Sequence, residues 1–136
     1  RIISGYYENT SGAFSGEYVK AGILDVDMVK ETEWSVKTEA KSTVFVYIFR
    51  GYGYFNEGRE ERIDDKTAVL FTEGEEVKIR SGKDGMRFVI FIGNPLKEPV
   101  AWGGPIVMNT REELKKAFEE IDNGTFIKDA DYNSNM

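Results

Sequence analysis

The side chains in this 136-residue chain that could do chemistry are carboxylates, hydroxyls and lysines, because the sequence contains neither histidine nor cysteine. A thiolate nucleophile, a zinc thiolate site and a histidine-activated serine are therefore excluded. Grouped acidic residues remain as candidate oxygen ligands for calcium or magnesium. They are Asp25 with Asp27, Asp64 with Asp65, and the cluster of Glu73, Glu75 and Glu76. The simpler interpretation is solvated surface charge, because each group falls in a predicted turn or on the polar side of a predicted strand.

Two other patterns could carry catalysis or phosphate binding. Serine lies close to lysine at Ser81 and Lys83 and at Lys41 and Ser42, but both pairs lie in predicted loops and are interpreted as structural. The glycines of residues 51–53 resemble part of a phosphate-binding loop, yet a third glycine and a following helix are missing. We therefore predict no catalytic residue and no metal ligand in this chain.

Composition limits the partners of the protein. Twenty-four acidic and 18 basic side chains leave a formal net charge of −6, which repels phosphate backbones and anionic lipid surfaces. No apolar run approaches the length that spans a bilayer, and the first residues lack the basic-then-apolar pattern of a signal peptide. We expect a soluble, cytoplasmic protein that forms one domain over residues 1–136 and binds neither nucleic acid nor membrane.

Two apolar runs, residues 43–49 and 86–92, are rich in β-branched and aromatic residues, which is typical of central strands. A turn is predicted at residues 50–53, and a loop at residues 81–85. The aromatic side chains of both runs are predicted to pack in the core: Phe45, Tyr47, Phe49, Phe88 and Phe91.

Shorter strands are predicted around these two runs. They cover residues 23–29, 34–36, 60–63 and 77–79, together with a short buried strand at 68–71. A hairpin turn is predicted at residues 56–58. Many short strands at regular spacing indicate a sandwich or barrel.

One helix is predicted after the strands, over residues 110–122. Thr110 and Glu113 have the spacing of a capping box, and Gly124 follows Asn123 as a left-handed stop. Apolar residues follow at helical spacing: Leu114, Ala117, Phe118 and Ile121. The predicted fold is therefore mostly β with a single C-terminal helix.

The segment PLKEPVAWGGPIVMNTREEL, followed by NGTF, resembles the closing segment of the pirin family. The strand phrases FVYIFRGYGYF and AVLFTEGEEVKIRSG are similar to earlier family segments in the same order. Pirins have two cupin domains, and this chain resembles the C-terminal one. The resemblance implies an all-β cupin double-stranded β-helix, or jelly-roll barrel, with one C-terminal helix.

In the cupin superfamily, three histidines and a glutamate bind the metal. Aligning its motifs on Gly51 and Gly74 places these ligands at Thr38, Ala40, Val44 and Val77, none of which replaces an imidazole or a carboxylate. The resemblance therefore implies a metal-free, non-catalytic domain without a cofactor. The implied partner is a metal-bearing N-terminal cupin domain of the same parent protein. That parent protein would resemble a quercetin 2,3-dioxygenase and transcription cofactor.

Several alternatives remain open at this point. The chain could be a stand-alone module that binds a small apolar ligand in a barrel cavity lined by Thr38, Ala40, Val44 and Val77. It could also dock on another protein or form a homodimer. Trp102, between glycines and prolines, is a candidate interface residue, with packing inside the domain as the alternative.

Overall fold

The computed structural model describes residues 1–55, 58 and 60–128. The chain separates into two compact units, Arg1–Pro95 and Leu96–Met136, and each is described by itself. The first unit contains nine strands: β1 (Ile2–Ser4), β2 (Tyr6–Tyr7), β3 (Thr10–Ser11), β4 (Gly22–Met28), β5 (Glu33–Lys37), β6 (Thr43–Phe55), β7 (Ile63–Asp64), β8 (Ala68–Leu70) and β9 (Glu76–Gly93).

Seven of these strands form one antiparallel sheet in the order β1-β4-β9-β6-β7. Strand β5 also pairs with β9, and β8 pairs with β6, so the long strands β6 and β9 each pair with several other strands. Strands β2 and β3 pair separately. This antiparallel arrangement with one described helix agrees with the predicted mostly-β jelly roll.

The core lies on one face of β4, β6 and β9. Alternate residues of a strand point to opposite faces, and the register sets Val44 opposite Ile92, Val46 opposite Ile90 and Ile48 opposite Phe88. The side chains of the buried cluster are Leu24, Met28, Val44, Val46, Ile48, Phe55, Val77, Ile79, Met86, Phe88 and Ile90.

The predicted turn at residues 50–53 and the predicted loop at residues 81–85 were wrong. Both segments lie inside the long paired strands β6 and β9. The pairing shifts register between Ile48 and Arg50 and again between Gly51 and Gly53, so the glycines occupy irregularities of the ladder. A Cβ at Gly51 would lie 2.2 Å from the carbonyl oxygen of Gly85, so close approach of the strands requires glycine there.

The predicted burial was wrong at several outward positions. Phe45 and Phe49 are exposed, because Val44, Val46 and Ile48 occupy the inner face of the same strand. The predicted strand at residues 68–71 exists as β8, but Leu70 is 73% exposed. The burial of Phe88 is confirmed. Of the hairpin turn predicted at residues 56–58, positions 56 and 57 lie outside the described residues.

The second unit contains β10 (Ala101–Gly103), β11 (Ile106–Met108) and α1 (Arg111–Asp122). The capping box is confirmed: Glu113 N donates to Thr110 Oγ1 at 3.2 Å, and Thr110 N donates to Glu113 Oε2 at 2.9 Å. The hairpin β10–β11 packs closely on the helix, since a Cβ at Gly103 would lie 3.1 Å from Phe118. Among the described residues, no helix has the length and apolar character that a membrane crossing requires.

Candidate functional site

The four predicted cavity positions lie around one end of the sheet. Thr38 follows β5, and its Oγ1 donates to the carbonyl of Gly74 at 2.9 Å. The carbonyl of Ala40 accepts from Gly74 N at 3.1 Å, so the segment before β9 is tied to the segment after β5. Val44 and Val77 belong to the buried core. The structure thus brings these positions together, with two valines facing inward and two backbone-bonded residues at the edge.

A cavity of about 280 Å³ opens beside three of them, namely Thr38, Val44 and Val77. Ala40 does not line it. Its polar rim includes Glu73 and Glu76. The donor set does not fit the iron site of a metal-bearing cupin, because the inward positions are valines and the threonine hydroxyl is already hydrogen-bonded. The residues described contain no group of three or more acidic, histidine or cysteine side chains arranged to hold a metal ion.

Three carboxylates of the acidic pairs are bound by arginines. Asp25 receives two hydrogen bonds from Arg87, at 3.0 and 2.8 Å, and Asp27 receives one from Arg50 at 3.0 Å. Asp64 is bound in the same way by Arg62. The hydrogen bonds from Arg87 hold the pKa of Asp25 below its usual value, although partial burial acts in the opposite direction. These contacts support the interpretation as surface ion pairs.

The serines of both Ser-Lys pairs also have structural partners. Ser81 is buried in β9, donates from Oγ to the carbonyl of Val29 at 2.7 Å, and accepts from Thr32 N at 3.1 Å. Its hydroxyl therefore holds the turn between β4 and β5. The hydroxyl of Ser42 donates to Asn94 Oδ1 at 3.0 Å. Neither contact activates a nucleophile.

A feature that the sequence reasoning missed is an apolar surface on the outer side of the sheet. We call it the outer aromatic face, and it consists of Phe45, Tyr47, Phe49, Leu70 and Phe91. The rings of Phe45 and Phe91 stack at 4.5 Å between centroids, and those of Tyr47 and Phe49 meet edge to face at 5.3 Å. The signal was present in residues 43–49, where both alternating sets are apolar, a pattern typical of a strand covered on both faces.

Trp102 lies on β10 of the second unit and is 75% exposed. Its Nε1 donates to the carbonyl of Gly104 at 2.8 Å, which fixes the ring beside its own hairpin. Its cross-strand neighbour Val107 is also exposed. An interface role for Trp102 stays a prediction.

Comparison with known proteins places this geometry in a family. The profile of the Pirin C-terminal cupin domain matches residues 23–127. A protein of Thermoplasma acidophilum with the provisional name of quercetin 2,3-dioxygenase is 31% identical over 135 residues, which cover 94% of this chain and 51% of that protein. A pirin-like protein of Caulobacter vibrioides is 32% identical over 93% of this chain and 45% of its own length.

A crystal structure of quercetin 2,3-dioxygenase from Acinetobacter baumannii has the same fold, with a TM-score of 0.81 at 29% identity. The match covers 93% of this chain and 43% of that one. The chain thus spans about half the length of the curated relatives that it matches. Since the profile covers most of the chain and the fold agrees, the predicted resemblance is confirmed, and the chain belongs to the family of pirin C-terminal cupin domains.

Proposed function

We propose that this chain is a metal-free, non-catalytic cupin domain that serves as the structural partner of a metal-bearing N-terminal cupin in a cytoplasmic pirin-like protein. The observation that carries the proposal is the outer aromatic face. It offers a second cupin domain a surface on which to pack. The parent protein would resemble a quercetin 2,3-dioxygenase, as the names of its relatives suggest.

The composition of the outer aromatic face is that of an interface rather than of an ordinary protein surface. Phe45, Phe49 and Leu70 remain 37%, 52% and 73% exposed, although they stand side by side on paired strands. Covering such apolar area contributes about 25 cal/mol for each Å² removed from water. Contiguous apolar patches of this kind mark interaction sites in soluble proteins.

Charged residues border the same side of the sheet. The ion pairs of Asp25 with Arg87 and of Asp27 with Arg50 lie on β4, β6 and β9, next to the aromatic rings. An apolar centre with a polar border is the usual composition of protein interfaces. The ion pairs would orient the partner, while the rings would supply most of the binding free energy.

The partner that we infer is the N-terminal half of the same polypeptide. The matched family is defined as a C-terminal cupin domain, and the relatives extend over about twice the matched length. A domain tethered in the same chain has a high effective concentration, so even a face of moderate area would remain occupied. A second copy of this chain or an unrelated protein would be a weaker competitor for the same surface.

The two cupin domains would have different roles, because they differ in the side chains that could bind a metal. The iron and its ligands would belong to the N-terminal half, where the metal would activate oxygen and substrate. In this chain, Val44 and Val77 fill the corresponding interior positions, and both belong to the hydrophobic core. Its residues would bind the neighbouring domain, exclude water from the shared surface and hold that domain's orientation.

The docking surface is tested by binding in trans. The upstream half, produced from the complete gene, is titrated with this chain by isothermal calorimetry. We expect saturable 1:1 binding, weakened about tenfold or more by Phe45→Glu, because a buried unpaired charge replaces an aromatic contact. The control is Val29→Glu, since Val29 is an exposed apolar residue outside the outer aromatic face.

Several outcomes would contradict this assignment. They are a gene without an upstream cupin, an upstream half that does not bind, and equal weakening by both glutamate variants. Light scattering of the isolated chain distinguishes a competing occupant, because self-association that Phe45→Glu abolishes would assign the face to a homodimer. Elemental analysis after incubation with iron, copper, nickel or manganese checks the metal-free state, and stoichiometric retention would refute it.

The cavity of about 280 Å³ supports a second candidate function, a module that binds a small apolar ligand beside Thr38, Val44 and Val77. The cavity is small, and its rim carries glutamates, so it would hold only a compact molecule. Thermal-shift screening tests this alternative, because a specific ligand must raise the melting temperature. Val77→Phe would abolish that shift by filling the cavity, whereas Val29→Phe would leave it unchanged.

A further inference from the structure

A larger cavity lies in the first unit, away from the outer aromatic face. Its volume is about 520 Å³, within the range of small-molecule sites. The ends of β5 and β9 form one side, and the segment that leads into β4 forms the other. Val36, Ile92 and Gly22 supply an apolar wall. Such a wall suits the hydrocarbon part of a small molecule.

Four side chains that can donate hydrogen bonds line this cavity without a described protein partner. Tyr6, Ser15, Lys20 and Lys37 line it, and within the described part of the chain none of these side chains makes a hydrogen bond or an ion pair. Residues 12–21 connect β3 to β4, and two of the four donors, Ser15 and Lys20, come from that stretch. Two lysines and two hydroxyl-bearing side chains of the lining therefore remain available to donate hydrogen bonds to a bound molecule.

The other polar side chains of the cavity, in contrast, already form hydrogen bonds within the protein. Glu39 Oε2 accepts a hydrogen bond from Asn94 Nδ2 at 3.0 Å, and Asn94 Oδ1 accepts one from Ser42 Oγ at 3.0 Å. The hydroxyl of Thr38 donates to a backbone carbonyl. Two lysines against one hydrogen-bonded carboxylate make this lining locally cationic, although the chain as a whole carries a charge of −6.

We propose that this cavity binds a small organic carboxylate, with the carboxylate on Lys20 and Lys37 and its apolar body against Val36 and Ile92. Carboxylate oxygens are pure acceptors and match the four unpartnered donors. The apolar wall disfavours a bare inorganic anion, because such an ion gains nothing from contact with hydrocarbon. The site shares no residue with the outer aromatic face, so this proposal does not depend on domain docking.

The test uses benzoate as the probe and benzamide as its uncharged match. Both are titrated into the purified chain and followed by amide chemical shifts in two-dimensional NMR. We expect benzoate to shift the amides of Gly22, Val36 and their neighbours, and to bind about tenfold more tightly than benzamide, since a charge-assisted hydrogen bond contributes about 1.5 kcal/mol or more.

Variants assign the binding to this cavity. Lys20→Gln and Lys37→Gln should each weaken benzoate about tenfold and leave benzamide unchanged. Lys30→Gln is the matched control, because Lys30 is an exposed lysine that does not line the cavity. Gly22→Val should block both probes, since its Cβ would lie 3.5 Å from Ile92 Cβ in ordinary contact while its methyl groups narrow the space.

The proposal is overturned by equal affinity for benzoate and benzamide, by shifts that map outside the cavity, or by lysine variants that bind benzoate as the wild type does. Both lysines are exposed, so their replacement should not unfold the chain. A folded Gly22→Val variant that binds as the wild type does would also overturn it. If Gly22→Val unfolds, the lysine variants alone decide.

Discussion

The two faces of strand β6 carry different kinds of apolar side chain. Val44, Val46 and Ile48 point inward and are almost completely buried, and they pack against β4 and β9. Phe45 and Phe49 have larger apolar side chains, yet they point outward and remain exposed. From apolar side-chain area alone, the aromatic face of β6 would be predicted to form the core.

The difference teaches that the space opposite a face decides its burial. The inner face is filled by neighbouring strands, so it accepts β-branched residues that interlock at fixed rotamers. The outer face is a flat platform on which rings stack on each other across the strands. A platform of this kind gains its full stabilisation only when a second surface covers it.

The largest test of this contrast compares one phenylalanine from each face. Phe88 is fully buried and meets Trp34 edge to face at 5.5 Å. Phe88→Ala should lower the free energy of unfolding by about 3–5 kcal/mol, because it removes buried area and leaves a cavity. Phe45→Ala on the outer aromatic face should cost only about 1 kcal/mol. Urea denaturation of the isolated chain measures both, and equal losses would break the comparison.

A second test concerns the one buried polar residue among the described positions, Ser81. Ser81→Ala should lower the free energy of unfolding by about 1–3 kcal/mol, because the partly buried Thr32 N–H would lose its acceptor. The matched control is Ser35→Ala, on the exposed side of β5. If both variants lose the same stability in urea titrations, the buried hydrogen bonds of Ser81 are not needed.

The third test uses pH on the ion pair beside the outer aromatic face. Arg87 lowers the pKa of Asp25 in the folded chain, so the pair stabilises the fold above the unfolded aspartate value of about 4. That stabilisation is lost as the pH falls through the folded value. Asp25→Asn should therefore cost about 1 kcal/mol at pH 7, a modest amount because Arg87 is half exposed, and progressively less below pH 4.

The measurement is a series of urea titrations of both proteins across this pH range. Asp84→Asn provides the control, since Asp84 is an exposed aspartate of β9 that makes no ion pair with another described residue. A difference between wild type and Asp25→Asn that stays constant below pH 4 would show that the stabilisation does not come from the carboxylate charge.

The smallest expected effect is the coupling between Phe45 and Phe91. Their rings are nearly parallel, with 4.5 Å between centroids. A double-mutant cycle with Phe45→Ala and Phe91→Ala should give a coupling of about 0.5–1 kcal/mol in the isolated chain. Binding of the N-terminal half should increase this coupling, since both rings would then be desolvated. If the coupling is absent both in the isolated chain and in the complex, the stacked pair does not contribute to the proposed interface.

The parts of the fold that the sequence predicted well depend on local rules. The helix begins after Thr110 and ends at Asp122 because the capping box and Gly124 act within a few residues. The strands around Val26, Trp34 and Val46 are also where the alternation predicts them. The glycines at 51 and 85 misled the prediction, because a glycine of a tight turn and a glycine of a strand irregularity have the same local signal.

The candidate sites were harder to predict from the sequence than the fold. Motif spacing predicted which positions replace the metal ligands, and the structure brings Thr38, Val44 and Val77 to one small cavity. The outer aromatic face and the donor-lined cavity were not predicted. Both combine residues that are distant in sequence. Strand register sets Phe45 opposite Phe91, and the folded chain brings Lys20 and Lys37 to the same cavity.

The sequence by itself determined the family, the helix and its cap, and the absence of imidazole and thiolate chemistry, since these depend on residue type and short spacing. Only the tertiary structure decided that β6 and β9 continue through their glycines, and which alternating set of each strand is buried. The physical reason is that a strand with apolar residues on both faces has no preferred orientation until its partners cover one of them.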